Sequence, residues 1–227
     1  MGWYDFVLNN AFTDVFINVT QPMPIVNDTI RDVLQVLRLN LEQALNSFPS
    51  TPDAAGDNVV LSNIAFVENE GNRQPSVADK LVITLIKTEE EHTLKNQPAH
   101  RRNPVSGSLE YVNPPVYLNL YLMVVANNRN YDNALLFLSR AIGYFQFQSV
   151  FNETNSTLPA GSALTRYHFN MSMVSPTFEQ LNHIWSILGG KQLPSVMYKL
   201  QLLEVQYEDT VKAGQEIRTV IVNEKIF

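Results

Sequence analysis

The sequence of 227 residues contains no cysteine, and this absence removes several kinds of site. Without a thiol the chain has no disulfide scaffold, no thiolate zinc site and no cysteine nucleophile, and its redox compartment stays undetermined. Long apolar runs are also missing. The longest one, at residues 117–126, is interrupted by Asn119 and is far shorter than the roughly 20 residues of a membrane-spanning helix. We therefore expect no direct membrane insertion.

Basic residues are scarce as well. The chain has 16 Lys and Arg against 22 Asp and Glu, a formal net charge of −6. Proteins that bind the phosphate backbone present a basic surface, so we expect no nucleic-acid partner. Only 17% of the residues are charged, below the roughly 25% that is usual in soluble domains. A neutral polar surface is less costly to desolvate, which favours burial against other subunits.

The first 26 residues read as an N-terminal extension. They show no basic region followed by a clean hydrophobic stretch, so we expect no secretory signal. They are nevertheless very apolar, with Trp3, Tyr4, Phe6, Val7, Leu8, Phe12, Val15, Phe16 and Ile17. Large apolar residues at a terminus need a cover, which the domain itself or a partner subunit could provide.

The rest of the chain is typical of one domain that alternates helices and strands. Helical periodicity is found at residues 27–48, at 132–149 and after Ser175-Pro176, where Gly189-Gly190 ends the third helix. Helix 132–149 is apolar nearly all round, so its second face needs another helix or another subunit. Strand patterns occur at residues 59–68, 81–88, 117–126, 165–174, 196–207 and, at the C-terminus, 217–227.

The packing of an apolar core does not account for two segments of the sequence. Residues 89–109 form a long polar stretch with Glu89, Glu90, Glu91, Arg101 and Arg102, which is too long for an ordinary connection. Residues 211–227 form a C-terminal arm or an edge strand rich in β-branched residues. This arm either completes its own sheet or is donated to a neighbour by strand addition. The predicted interface residues are therefore Glu89, Glu90, Glu91, Arg101, Arg102, Ile217, Val220, Val222 and Phe227.

The motifs of common active sites are not present. His92 and His100 lie near the three glutamates but lack metal-ligand spacing, and a solvated loop is the simpler interpretation. The Gly189-Gly190-Lys191 stretch lacks the other residues of a phosphate-binding loop. No G-x-S-x-G nucleophile motif occurs either. The sequence thus predicts no catalytic residue, no cofactor and no metal, and the chain is not expected to be an enzyme.

Several stretches together resemble the tail-terminator, or cap, proteins of contractile injection systems, which are phage-tail-like particles with a sheath around a tube. The similar stretches cover roughly residues 27–210 and are NPPVYLNLYL (113–122), NYD (130–132), LFLSRAI (136–142), FEQLNHIWSILGG (178–190), LPSVMYK (193–199) and EEE with LKN (89–91 and 94–96). Trp185 and Tyr198 match this pattern, and we interpret both as core anchors.

The resemblance implies an α/β (α+β) fold, with a mixed β-sheet flanked by helices. It also implies a homo-hexameric ring at the particle end far from the baseplate, where the ring stops tube growth and holds the last sheath layer. Its partners would be itself and the tube and sheath proteins. Such a particle is assembled in the bacterial cytoplasm and is extracellular after release. The family supplies no catalytic residues.

Two other hypotheses stay open. The chain could be a different structural subunit of the same particle, namely a tube protein, a sheath protein or a baseplate adaptor. A small-molecule enzyme is the hypothesis that the sequence supports least, because it requires a deep pocket with convergent polar groups.

Overall fold

The computed structural model describes residues 28–48, 57–66, 76–91, 93, 100–102, 109–112, 116–162, 164, 167–205 and 210–214. Three helices lie in this part of the chain: α1 (Thr29–Asn46), α2 (Tyr131–Phe147) and α3 (Phe178–Ile187). The strands are β1 (Val59–Leu61), β2 (Lys80–Glu90), β3 (His100–Arg102), β4 (Leu109–Val112), β5 (Val116–Asn127), β6 (Val150–Asn152), β7 (His168–Val174), β8 (Ser195–Val205) and β9 (Thr210–Gly214).

Six of the strands form one sheet in the order β1-β2-β5-β8-β7-β6. The β1–β2 pair is parallel, and every other pair in this sheet is antiparallel. The expected mixed sheet flanked by helices is therefore confirmed. A second sheet of three antiparallel strands has the order β3-β4-β9.

Helix α1 forms because its apolar residues recur every three or four positions and share one face. Val33, Leu37 and Leu41 on this face are fully buried. Two polar residues then fasten the helix to distant parts of the fold. Asn40 exchanges two hydrogen bonds with the backbone of Thr157, at 3.1 and 3.0 Å. Glu42 accepts hydrogen bonds from the backbone amides of Asn58 and Val59 at 2.9 and 2.6 Å, so the helix also holds the start of β1.

Each face of the six-stranded sheet has its own apolar core. Helices α1 and α2 cover one face, where Phe137 and Phe145 pack with residues such as Leu122 and Tyr198. The second face is covered in part by α3 and a short 3-10 helix at Ile64–Phe66. Helix α1 contacts α2, which is one of the two covers that the sequence leaves open for this helix, whereas Leu135 and Phe147 stay exposed.

Helix α3 begins later than the sequence pattern indicates. Thr177, and not Ser175, is the N-cap, and it forms a reciprocal capping box with Gln180. The expected end at Gly189-Gly190 is confirmed, because both glycines have positive φ angles of 107° and 84° and the Gly190 amide bonds to the Trp185 carbonyl at 2.7 Å.

Two other expectations need correction. The predicted strand at 59–68 ends at Leu61, because the chain turns into the 3-10 helix. Residues 89–109 are not one long loop: β2 continues to Glu90, and β3 pairs with β4. The predicted strand at 217–227 lies outside the described residues. Within the described part of the chain, no helix is long and apolar enough to cross a membrane.

Candidate interaction surface

Six polar and charged residues lie together on the part of the second sheet face that α3 does not cover. We call them the polar cluster: Lys87, Glu89, Glu91, Asn119, Tyr121 and Lys199. The strand register places these residues side by side. Lys87 pairs with Tyr121, Tyr121 pairs with Lys199, and Glu89 pairs with Asn119. Three central strands thus contribute neighbouring side chains to one surface.

Glu89 is held by its two neighbours in the polar cluster. Its carboxylate accepts a hydrogen bond from Lys87 Nζ at 3.0 Å and another from the Tyr121 hydroxyl at 2.8 Å. These hydrogen bonds lower the pKa of Glu89, and the bond to Glu89 raises the pKa of Tyr121. The Lys87 and Lys199 ammonium groups also lie 5.4 and 5.9 Å from the centre of the Tyr121 ring. Tyr121 therefore lies between the carboxylate of Glu89 and the ammonium groups of Lys87 and Lys199.

Glu91 is fixed just beyond the end of β2. Asn119 Nδ2 donates to Glu91 Oε2 at 2.9 Å. The backbone amide and hydroxyl of Thr93 donate to Glu91 Oε1 at 3.3 and 2.8 Å. The hydrogen bond from Asn119, followed by those from Thr93, lowers the pKa of Glu91 to about 2. This carboxylate consequently remains ionised at every physiological pH.

The same face carries two buried acceptors without a hydrogen-bond partner. They are the Oδ1 atoms of Asn119 and Asn170, and neither finds a donor in the structure that the described residues form. Asn119 is only 3% exposed, and Asn170 lies on β7 opposite Gln201. Buried acceptors are normally satisfied, because an unmade hydrogen bond costs about 1–3 kcal/mol.

The outer edge of β2 is also open beside this surface. Strand β1 covers only Leu81, Val82 and Ile83 of β2. From Leu85 to Glu90, no described strand pairs with the side of β2 that faces away from β5. The Glu91 amide bonds to the Tyr117 carbonyl of β5, so alternation directs the amide of Thr88 outward. An open edge of this kind is a template for strand addition.

The sequence itself places this fold in a family. The profile of the Pvc16 N-terminal domain family matches residues 32–219, more than four fifths of the chain. The chain belongs to the Pvc16 N-terminal domain family. A search of curated protein sequences found no match.

Solved structures resemble this Pvc16 N-terminal domain at low sequence identity. One is the sheath/tube terminator of PVC, an extracellular contractile injection system, in its extended state; it has a TM-score of 0.55, with 13% identity over 87% of this chain and 64% of the terminator. Another is the tube-terminating cap of the anti-feeding prophage, with a TM-score of 0.47 and 13% identity over 87% of this chain and 60% of the cap. This chain thus spans slightly less than two thirds of the PVC terminator, and the expected terminator-like fold is confirmed.

The fold brings some of the predicted interface residues together and separates others. Glu89 and Glu91 lie in the polar cluster, whereas Glu90 is paired with Leu118 and lies on the opposite face of the sheet. Arg101 and Arg102 are on β3, in register with Glu110 and Leu109, so they belong to the smaller sheet. Ile217, Val220, Val222 and Phe227 lie outside the described residues.

The two predicted core anchors are both buried, in different cores. Trp185 projects from α3 into the core of the second face. Tyr198 packs against Phe145 on the first face, with ring centres 4.9 Å apart. Burial raises the pKa of Tyr198 to about 12. Neither the Trp185 Nε1 nor the Tyr198 hydroxyl has a hydrogen-bond partner in the described structure.

Sequence reasoning missed Lys87, Asn119, Tyr121 and Lys199 as interface candidates. The signal was present for two of them, since Asn119 and Tyr121 interrupt the apolar pattern of one strand on the same side. As to metal chemistry, no group of three His, Asp or Glu residues in the described ranges could hold an ion. The surface is thus equipped for polar and backbone contacts with another protein.

Proposed function

We propose that this protein is the cap, or terminator, of a contractile injection system. The observation that carries this proposal is the family match over residues 32–219, and the terminator fold supports it. Copies of the chain would form a homo-hexameric ring at the end of the particle far from the baseplate. The ring would stop tube growth by occupying the growing end, and it would anchor the last sheath layer. The protein would not act as an enzyme.

The polar cluster is suited to set the register of such an assembly. Its two lysines and two glutamates balance one another, so it attracts no partner by net charge. Complementary charges of this kind fix orientation and reject wrong partners more than they add affinity. We assign the polar cluster to a contact between subunits of the particle.

The open edge of β2 offers a second, backbone-mediated contact. A closed ring of identical subunits uses two different patches on each subunit, one of which receives what the other donates. The edge from Leu85 to Glu90 would receive a strand, and the C-terminal arm would donate one. We keep the division into an extension at 1–26, a terminator-like domain at 27–210 and an arm at 211–227. Strand β9, at Thr210–Gly214, ties the root of this arm to β4.

Glu90, Arg101 and Arg102 remain proposed contact residues, together with Ile217, Val220, Val222 and Phe227. Assembly would take place in the bacterial cytoplasm, and the finished particle would be extracellular after release. Its partners would be the tube and sheath proteins of the particle.

Electron microscopy of particles from cells that lack this chain tests the proposal. Loss of a terminator gives overlong or uncapped tubes, whereas loss of a tube subunit gives no tubes at all. A label on the chain should appear at one end of each particle and nowhere else along it. A label spread along the shaft would instead identify a tube or sheath subunit, and a label at the baseplate would identify an adaptor.

A further inference from the structure

An apolar cleft lies where the ends of α1 and α2 meet. Its volume is about 530 Å³, and Ala44, Phe48, Leu136, Gly143, Tyr144 and Phe147 are among the residues that line it. Phe147 is 87% exposed and Phe48 is 41% exposed, although both are large apolar side chains. Contiguous exposed apolar surface of this kind marks a binding site for another segment. The cleft is on the sheet face opposite the polar cluster and is not used by the proposed cap function.

The cleft also carries a positive charge. Arg140 is the only charged residue among those that line it, and its guanidinium lies 4.7 Å from the centre of the Phe48 ring. An occupant should therefore be apolar and rich in aromatic residues.

One segment of this chain has that composition. Residues 3–17 contain nine of the large apolar residues named above, and residues 1–27 contain Asp5 and Asp14 but no lysine or arginine. Ten further residues, 18–27, connect this segment to Asp28, the residue that precedes α1. We propose that the apolar segment of residues 3–17 packs into the α1–α2 cleft of its own subunit.

The connecting chain is long enough for this arrangement. Helix α1 has 18 residues, which at 1.5 Å per residue is about 27 Å from its start to the cleft. The ten residues 18–27 span up to about 33–36 Å when extended, so they reach back along the helix. A tether this short gives an effective concentration in the millimolar range, which exceeds that of a second copy at micromolar concentration. The tether therefore favours the segment's own cleft over the cleft of a separate molecule in solution.

Disulfide trapping in the full-length chain tests this directly, because no native cysteine interferes. Gly143→Cys places a thiol in the cleft, where an added Cβ meets no atom within 4 Å. It is combined in turn with Leu8→Cys, Ala11→Cys or Val15→Cys. The matched control replaces Gly143→Cys with Ile187→Cys, on α3 and the other side of the sheet, where the side chain is 84% exposed.

We expect at least one Gly143→Cys pair to form an intramolecular disulfide with a yield at least tenfold above its Ile187→Cys control. The readout is a non-reducing gel with mass spectrometry of the cross-linked peptide. Equal yields for both partners would overturn the proposal. So would disulfide-linked dimers as the main product, because the occupant would then come from a second copy.

A dye-binding measurement gives an independent check. A full-length variant carrying Trp3→Ser, Phe6→Ser, Phe12→Ser and Phe16→Ser should bind several-fold more ANS than the parent, since its cleft loses the cover. Adding Phe147→Ser to this variant should reverse most of the increase. If the segment does not cover the cleft, removing four aromatic residues will lower or leave unchanged the ANS signal, and the proposal fails.

Discussion

Asn119 on β5 and Glu91 at the end of β2 are joined by a 2.9 Å hydrogen bond from Nδ2 to Oε2. The bond satisfies the amide donor of a buried side chain and holds the carboxylate at the open edge of the sheet. Asn119, which is 28 positions away in the sequence, thus helps to set both the position and the charge of the Glu91 side chain.

The first prediction concerns the pH dependence of stability. The folded pKa of Glu91, about 2, is below its ordinary value of 4.5, so the ionised carboxylate stabilises the fold above pH 4.5. This contribution should decline as the pH falls from 4.5 to 2. Glu91→Gln should therefore lower the urea midpoint at pH 7 and flatten the loss of stability in this acid range. Glu153→Gln, at an exposed turn, is the control; equal acid profiles for both variants would contradict the assignment.

The second prediction concerns the open edge. Thr88→Pro removes an outward amide from β2 without touching the ladder with β5, and proline is tolerated at such edge positions. The variant should stay folded by circular dichroism but should form no ring in native mass spectrometry or electron microscopy. Thr88→Val keeps the amide and should assemble normally. Normal rings from Thr88→Pro would exclude strand addition at this edge.

The third prediction concerns the first core. Phe137 is fully enclosed between α2 and the sheet, so Phe137→Ala should lower the free energy of unfolding by about 3–5 kcal/mol. Leu135, two residues earlier on the same helix, is 41% exposed, and Leu135→Ala should cost less than about 1 kcal/mol. Urea titrations of both variants measure the difference. Similar losses for the two would mean that α2 packs with another face.

The fourth prediction uses two glycines with opposite expectations. Gly190 has a φ of 84°, so Gly190→Ala should destabilise the fold by about 1–2 kcal/mol. Gly143 lies inside α2 with free space around it, so Gly143→Ala should raise stability by up to about 1 kcal/mol. Thermal unfolding of the pair measures both signs. A gain in stability from Gly190→Ala would contradict the left-handed backbone conformation of this residue after α3.

The fifth prediction concerns the C-terminal arm. Deletion from Glu216 onward removes Ile217, Val220, Val222 and Phe227 but spares β9. The truncated chain should keep the circular dichroism spectrum of the parent, whereas its particles should lose sheath attachment in electron micrographs. Particles with normal length and firmly attached sheath would show that the arm is not the contact.

The sequence predicted the elements whose signals are local. The stripe of α1 and the glycine pair after α3 depend on spacing and backbone preference, and both appear where expected. The predicted N-cap of α3, Ser175, lies two residues before the observed N-cap, Thr177, because both residue types are typical helix start signals. For α2 the sequence indicated only that a helix which is apolar nearly all round needs another helix or another subunit, and it did not identify α1 as a neighbour.

The composition of the polar cluster could not be predicted, because it depends on a β-bulge. Up to Ile86, even-numbered residues of β2 such as Val82 face α3. The register then shifts between Leu85 and Lys87, so odd-numbered residues face the same side afterwards. Simple alternation would have put Lys87 and Glu89 on the wrong face. Their partner Lys199 on β8 is a long-range neighbour that no local pattern reveals.

The two amides that Glu42 binds lie at the start of a three-residue edge strand. Amide protons at such a site normally exchange with solvent within seconds, because the strand is too short to protect them. Here their protection comes from a helix, so the exchange rates at Asn58 and Val59 report whether α1 is docked. Deuterium uptake at these two positions is therefore a local probe of the earliest opening of the first core.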